Sequence, residues 1–500
     1  MDIARGPSDA ALQGIADFDV LIIGAGISGI DAAYHLSKSR PETRFAILDS
    51  MDDLGGTWRT HRFPGIRSDS DLFTFGFKWK PWTGIPIATG DEILSYLNEA
   101  MAENDLRRHT RFGHWVKSAA WSSKAQRWVV KVQRSGETEP VEMTCRFLWM
   151  CSGYYRHSEP YRPTWPGMEQ FGGQIVHPQD WPTDLDHANK QIVVIGSGAT
   201  AATLIPALAK TAEHVTMLQR SPTYYYPKPM MDEFTTTLRA LDLPDDWFHE
   251  IMRRKFLHDQ QVTVRRSLEE PQVLADELIA AARAYLGEDY DIETHFTPSY
   301  QPWRQRIAMI PDGDLFTTIR GGKASVVTDQ IERFTATGLR LASGQELRAD
   351  IVVTATGLTL NALGDLVLTV DGAQVDLSKS ITHRGIMFTG LPNLVSVFGY
   401  LRSSWTLRAD LVSDYVCRLL AHMEAKGVGS VTPALREIDR DMPERPWVDP
   451  KNFNPGYFAR SLHLLPKQGD RQPWLITQDY FSDRETLPAA DLEDGTLVYV

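Results

Sequence analysis

The patterned part of the chain begins with "FDVLIIGAG", a short apolar run from Phe18 that ends on glycine at Gly26. An apolar run of that length, closed by glycine, predicts a strand buried on both faces and feeding a tight turn. "ISGIDAAYHLSKS" follows with apolar positions at helical spacing, and "RFAILDS" (Arg44 to Ser50) predicts a second buried strand. The same strand–helix–strand order returns at "QIVVIGSG" (Gln191 to Gly198), "ATAATLIPALAK" and "HVTMLQR" (His214 to Arg220). From Asp232 to Tyr290 charged helix formers dominate and no strand alternation occurs, which predicts a helical insertion. "ELRADIVVTATGLTLN" predicts another buried strand ending at glycine, and "ADLVSDYVCRLLAHMEAKG" a long amphipathic helix. Proline and aromatic residues in "YRPTWPG" and "YYYPKPM" predict loops or connectors. The fold class is therefore α/β, with two Rossmann-like dinucleotide-binding units.

Composition narrows the function without naming it. Five hundred residues, 42% apolar and 23% charged, are enough for several large cores. A net charge of −12 repels phosphate backbones, so no nucleic-acid partner is expected. Three cysteines (Cys145, Cys151 and Cys417) cannot make a disulfide framework and fit a reducing compartment. The first eighteen residues carry acids and no apolar core, unlike a secretory leader, and no run is long enough to span a membrane. A cytoplasmic protein is expected. Fourteen tryptophans leave peripheral membrane contact open.

Gly24, Gly26 and Gly29 form G-x-G-x-x-G at the first strand-to-helix turn. In such a loop the first glycine permits the tight turn, the second lets a pyrophosphate reach the backbone, and the third packs helix on strand. The helix N-terminus meets the phosphate charge. Asp49 closes the second strand, where a carboxylate can accept from ribose hydroxyls. Gly56, Thr57 and Trp58 follow closely, where amides and an indole could line a flavin. In the second unit Gly196, Ser197, Gly198, Ala199 and Thr200 form the loop. Arg220 stands there where the first unit has Asp49, and a guanidinium can grip a 2′-phosphate that an acid would repel. This points to NADPH; the alternative is a surface arginine beside an NADH site. Two such sites imply a held redox cofactor and a diffusing hydride donor, hence FAD with NADPH. "CSG" (Cys151 to Gly153) and "ATG" (Ala355, Thr356, Gly357) are strand ends of small residues suited to chain crossings between domains. Disulfide reductases share the two-nucleotide plan, but Cys145 and Cys151 are not placed as a redox pair. Neither H-E-x-x-H nor a Cys/His cluster occurs, so no metal is expected.

Between the loops lies "FGGQIVHPQDWP". Phe171, Gly173, His177, Trp181 and Pro182 match F-x-G-x-x-x-H-x-x-x-W-P, the fingerprint of type I Baeyer–Villiger monooxygenases, which the chain resembles. "FPGIRSDSDLFTFGFKWKPWTG", "CSGYY", "PDGDLF" and "SWTLRADLVSDYVCRLL" resemble the branch containing the ethionamide-activating monooxygenases of mycobacteria. The resemblance implies an NADPH- and O2-dependent flavoprotein that turns ketones into esters or lactones through a peroxyflavin. It also implies oxidation of sulfur in thioethers or thioamides. It implies an FAD domain built from both chain ends, here 1–155 and 350–500, around an NADP domain of 156–349 with its insertion at about 223–300. His177 and Trp181 would serve a conformational role between domains. Arg306 in "PWRQRIAMIPDGD" matches the family's active-site arginine, and Asp69 in "PGIRSDSD" the acid beside it, which also borders the flavin. A cation there favours an anionic oxidant, and arginine, unlike lysine, cannot lose its charge. The chain departs from the family at Arg304, where an acid is expected, and an inward-facing Arg304 would alter the local field. Two other readings stay open: a flavin monooxygenase acting on nitrogen or sulfur, and a flavoprotein sensor that releases no oxygenated product.

Overall fold

The computed structural model describes residues 17–500. The part of the leader reading that falls on residues 1–16 lies outside the described residues. Two large sheets organise the chain, the first mixed and the second parallel. In the first, Phe18–Ile23 lies between Phe45–Leu48 and Val141–Met150, with Ile22 opposite Ile47 and Trp149. Leu21, Ile22, Ile47 and Leu148 are wholly buried, as strands covered on both faces must be. An antiparallel run through His114–Ser122 and Arg127–Arg134 widens this sheet. Val367–Val370 and Leu394–Ser396 then join it from the far end of the chain.

The helix Ile27–Ser39 packs against Thr406–Lys426, so both chain ends share one core. A charge network, buried at Asp31 and open to solvent at Asp414, fastens the two helices. His35 Nδ1 lies 2.9 Å from Asp414, and its Nε2 lies 3.2 Å from Asp410 and 3.5 Å from Asp31. Burial opposes charge on this imidazole, yet the carboxylates outweigh it and hold His35 protonated. Trp79 Nε1 and Ser413 Oγ donate to Asp31 and satisfy it.

The second sheet is all parallel, in the order Ala324–Thr328, His214–Gln219, Gln191–Ile195, Ile351–Thr354, Gln174–Val176. Two sequence readings need correction here. Ile351–Thr354 hydrogen-bonds inside this sheet, so the chain leaves the second unit after Thr354 and not at 349/350. The segment "YYYPKPM" is not simply a connector. Tyr225–Lys228 pairs in parallel with Ala308–Pro311, and Pro227 is tolerated because a two-stranded sheet has only edges.

Helices Glu233–Ala240, Asp245–Glu269 and Pro271–Leu286 form the region between those two strands. Asp245–Glu269 reaches back to the first unit: Arg253 donates to the Phe73 carbonyl (2.7 Å), and Gln260 donates to Asp71 (2.9 Å). Two ion pairs join the units as well. Arg67 meets Asp314 at 2.6 Å, and Arg306 meets Asp69. Among the described residues no helix is long and apolar enough to cross a membrane.

Candidate active site

Both glycine loops open onto one cavity of about 1600 Å³ between the two sheets. At Gly24, φ is +110° and an added Cβ would lie 2.5 Å from the Cys151 carbonyl oxygen. At Gly29 an added Cβ would lie 1.8 Å from the Gly24 carbonyl oxygen. These two positions therefore admit only glycine, one for conformation and one for close packing. The helices Ile27–Ser39 and Ala199–Leu208 start at Gly26 and Gly198 with no side chain capping their first-turn amides. A Cβ on Gly198 would meet nothing within 4 Å. Uncapped amides facing an open cavity are acceptor-seeking donors, and they fit the pyrophosphates of two dinucleotides.

Asp49 is almost fully buried, and both its oxygens are engaged locally. Oδ2 accepts from the Ala25 amide at 2.6 Å and Oδ1 from the Met51 amide at 2.8 Å. It thus ties the second strand end to the glycine loop, and its remaining lone pairs are what a ribose would meet. Gly56, Thr57 and Trp58 line the same cavity, with Trp58 edge-on to Phe75 at 5.8 Å. In the second unit Ser197 Oγ is 2.9 Å from Thr223 Oγ1, and Tyr225 Oη donates to the Ser197 carbonyl (2.7 Å). Ala199 and Thr200 continue this wall. Arg220 is exposed at its edge, and no acidic partner holds it among the described residues. Thr356 and Gly357 line the cavity where the chain returns to the first unit, and Thr356 Oγ1 donates to the Tyr161 carbonyl (3.4 Å).

Asp69 and Arg306, 237 residues apart, meet in a forked ion pair inside this cavity. Nε donates to Oδ2 at 2.6 Å and Nη2 to Oδ1 at 2.8 Å. Burial works against the guanidinium's charge, and Asp69 more than restores it, so Arg306 is held above its usual range. A third of its side chain stays open, so the charge remains available to a ligand. Arg304 does not face inward: it is turned to the Lys451 carbonyl and to Gln301 Oε1 (3.2 Å), where it braces the 301–306 loop against the C-terminal region.

The five residues of the F-x-G-x-x-x-H-x-x-x-W-P motif, like Gly29, are not among the cavity walls. Phe171 packs edge-on to Phe334 at 5.9 Å, and Trp181, just before Pro182, packs against the second unit's core. Gly173 has no room for a Cβ, which would lie 2.2 Å from the Asp350 carbonyl oxygen. His177 is buried and accepts from the Gln179 amide through Nδ1 (3.1 Å). Gln179 Nε2 in turn donates to the carbonyls of Arg156 (3.0 Å) and His157 (2.8 Å), on the first crossing between units. Burial, reinforced by Arg162, pushes His177 down to about 4.

Sequence reasoning missed several side chains of the site. Tyr154, Tyr155 and Tyr457 stand in the cavity around Arg306, and Trp405 closes its first-unit end, with Nε1 donating to Ser28 Oγ at 2.7 Å. "CSGYY" was the available signal for the first two. Nothing in the spacing connects them to Tyr457.

A cavity flanked by two dinucleotide loops, with a charged fork between them, defines a two-nucleotide flavoprotein oxidoreductase. Comparison with known proteins agrees. A flavin-binding monooxygenase-like family model matches residues 87–259, and an NAD(P)-binding Rossmann-like model matches 22–81. The FAD-containing monooxygenase EthA of Mycobacterium tuberculosis is 47% identical over 481 residues, covering 96% of this chain and 97% of that one. The probable FAD-binding monooxygenase AlmA of Acinetobacter baylyi is 43% identical, covering 96% and 95%. The structure of an oxidised steroid monooxygenase bound to NADP superposes with a TM-score of 0.75 at 21% identity, covering 97% of this chain and 99% of that one. The chain belongs to the family of FAD-containing monooxygenases.

Proposed function

We propose that this enzyme uses NADPH and O2 to convert ketones into esters or lactones, and that it also oxidises sulfur in thioethers or thioamides. The balanced reaction consumes ketone, O2, NADPH and a proton, and gives ester, NADP⁺ and water. The Arg306–Asp69 fork, set between two uncapped helix N-termini in one cavity, carries the reading. It rests also on the EthA resemblance and on a TM-score of 0.68 to a cyclohexanone monooxygenase bound to ε-caprolactone, at 21% identity and covering 83% of this chain and 90% of that one.

The first-unit loop, Asp49 and the Gly56–Trp58 turn would hold FAD; the second-unit loop and Arg220 would hold NADPH. Reduced flavin bound there supplies the electrons that activate O2. Arg306 does the rest of the electrostatic work, because its fixed charge favours negative charge developing on oxygen during attack on a carbonyl. Asp69 grips two nitrogens of the fork and so fixes its plane. The fingerprint segment, bonded through Gln179 to the crossing at Arg156–His157, would transmit movement between the units. We assign the units to 1–155 with the chain's C-terminal part, and to the segment between, with its helical insertion at about 223–300. Buried free thiols at Cys145, Cys151 and Cys417 support a reducing, cytoplasmic location, and the acidic surface argues against nucleic-acid partners.

The test is product analysis with a ketone and thioether panel, titrated against NADPH consumed. Ester in step with NADPH supports the proposal. The flavin-binding monooxygenase-like match favours one second reading, oxidation at sulfur or nitrogen alone. Sulfoxide with every ketone untouched would select it, and NADPH oxidation with no oxygenated product would indicate a sensor.

A further inference from the structure

The two adjacent tyrosines of "CSGYY" form a phenol pair beside the catalytic arginine. Tyr154 Oη and Tyr155 Oη lie 2.9 Å apart, and among the described residues neither hydroxyl has another partner. Two phenols joined by one hydrogen bond hold two protons and use one. One O–H is therefore left over, in a cavity shared with Arg306 and Asp69.

The surroundings decide which phenol keeps it. The Tyr154 ring lies stacked on Trp405 (centroids 5.2 Å, planes 17° apart), with Phe398 at 5.5 Å and Phe458 at 6.1 Å. Its hydroxyl has one hydrogen-bond partner, Tyr155 Oη, and donating there satisfies it, although Tyr457 and Arg306 also act on it. Arg306 acts on both phenols, and Asp69 acts on that of Tyr155. Its backbone is clamped, because the Tyr155 carbonyl accepts from Asn361 Nδ2 (3.0 Å) and the next amide, Arg156, donates to Thr359 (2.8 Å). Accepting a bond from Tyr154 polarises the remaining Tyr155 O–H and makes it a better donor. Burial raises both phenols, so both stay protonated through the neutral range.

We propose that Tyr155 is a catalytic residue of the carbonyl reaction: its free O–H donates to the substrate's carbonyl oxygen, alongside the Arg306 charge, and Tyr154 is the positioning residue that orients it. The ligand class is a carbonyl compound, whose oxygen accepts both the phenol and the guanidinium. Tyr155 keeps its proton throughout; the bond strengthens as charge gathers on the oxygen. A thioether has no such oxygen and gains nothing from this donor. The inference rests on the ketone reading above.

The experiment compares wild type, Tyr155→Phe and Tyr154→Phe holoenzymes with one ketone and one thioether, measuring product per NADPH and kcat/KM for each. Wild-type ester formation is the control for the ketone reading itself, and absence of ester there would refute that reading rather than this assignment. Given ester from wild type, Tyr155→Phe should lower the ratio of ketone to thioether turnover about tenfold, the size of one lost hydrogen bond to a charging oxygen. Tyr154→Phe should lower it less, and the double variant should match Tyr155→Phe alone. FAD content and the rate of flavin reduction by NADPH serve as readouts of folding. An unchanged ratio in a flavin-loaded Tyr155→Phe enzyme, or equal loss with both substrates, would overturn the assignment.

Discussion

Replacing Arg306 by alanine tests the core of the mechanism. A unit charge ~4 Å from the oxygen under attack is worth about 4 kcal/mol at an effective dielectric near 20. Asp69 opposes it. Bonded at 2.6 and 2.8 Å to the guanidinium, the carboxylate would lie on the order of 8 Å from that oxygen and take back about 2 kcal/mol. The pair together favours charge there by about 2 kcal/mol. Deleting the cation alone removes its whole contribution, about 4 kcal/mol, and leaves the carboxylate's opposition in place, roughly a thousandfold in rate. Arg306→Ala should therefore bind FAD, accept hydride from NADPH and consume O2, while ester per NADPH falls roughly a thousandfold and hydrogen peroxide appears instead. Arg306→Lys should lie between, since a point charge survives but cannot engage both Asp69 oxygens. The assay is gas-chromatographic ester yield against NADPH absorbance, with a peroxide assay and a thioether in parallel. Ester yield within twofold of wild type in a flavin-loaded variant would falsify the assignment.

Three further outcomes are expected. Arg220→Ala should raise the KM for NADPH tenfold or more, about 1.4 kcal/mol of a charge-assisted contact, and leave NADH kinetics unmoved; equal losses with both coenzymes would remove Arg220 from the 2′-phosphate. His177→Ala should retain FAD but slow turnover, with NADPH use and product falling together, as steady-state rates and flavin content will show. Acid should loosen the junction between units. His157 and His177 are each held near 4 by burial, against an ordinary 6.5, so the unfolded chain takes up protons first as pH falls. The stability these neutral rings contribute is complete above about 6.5 and lost progressively towards 4. Tm measured across that window should fall less in a His157→Gln, His177→Gln double variant; parallel curves would contradict this.

What could be read from the sequence was whatever depends on local backbone chemistry. Gly24 and Gly29 announce themselves because no other residue fits, and Arg220 because a strand end fixes its place. The Asp69–Arg306 pair spans 237 residues, and no spacing rule links them. Only family resemblance named both. Tyr155 needed more still, since the role proposed for it depends on Tyr154's contact with Trp405, brought in from the far part of the chain. The strand Tyr225–Lys228 was hidden by Pro227, and the exit at Thr354 by an apolar run that suits either sheet.

The loop "PGIRSDSD" reaches across to the second unit through two residues of opposite sign. Arg67 enters the carboxylate of Asp314, and two positions on Asp69 enters the guanidinium of Arg306. A sliding motion that carried the loop one socket along would set cation on cation or acid on acid. The junction is keyed as a polarised two-pin plug is: the order of its charges lets it seat in one orientation. Since one pin is the Arg306–Asp69 pair, the charged fork in the cavity is complete only when the plug is home.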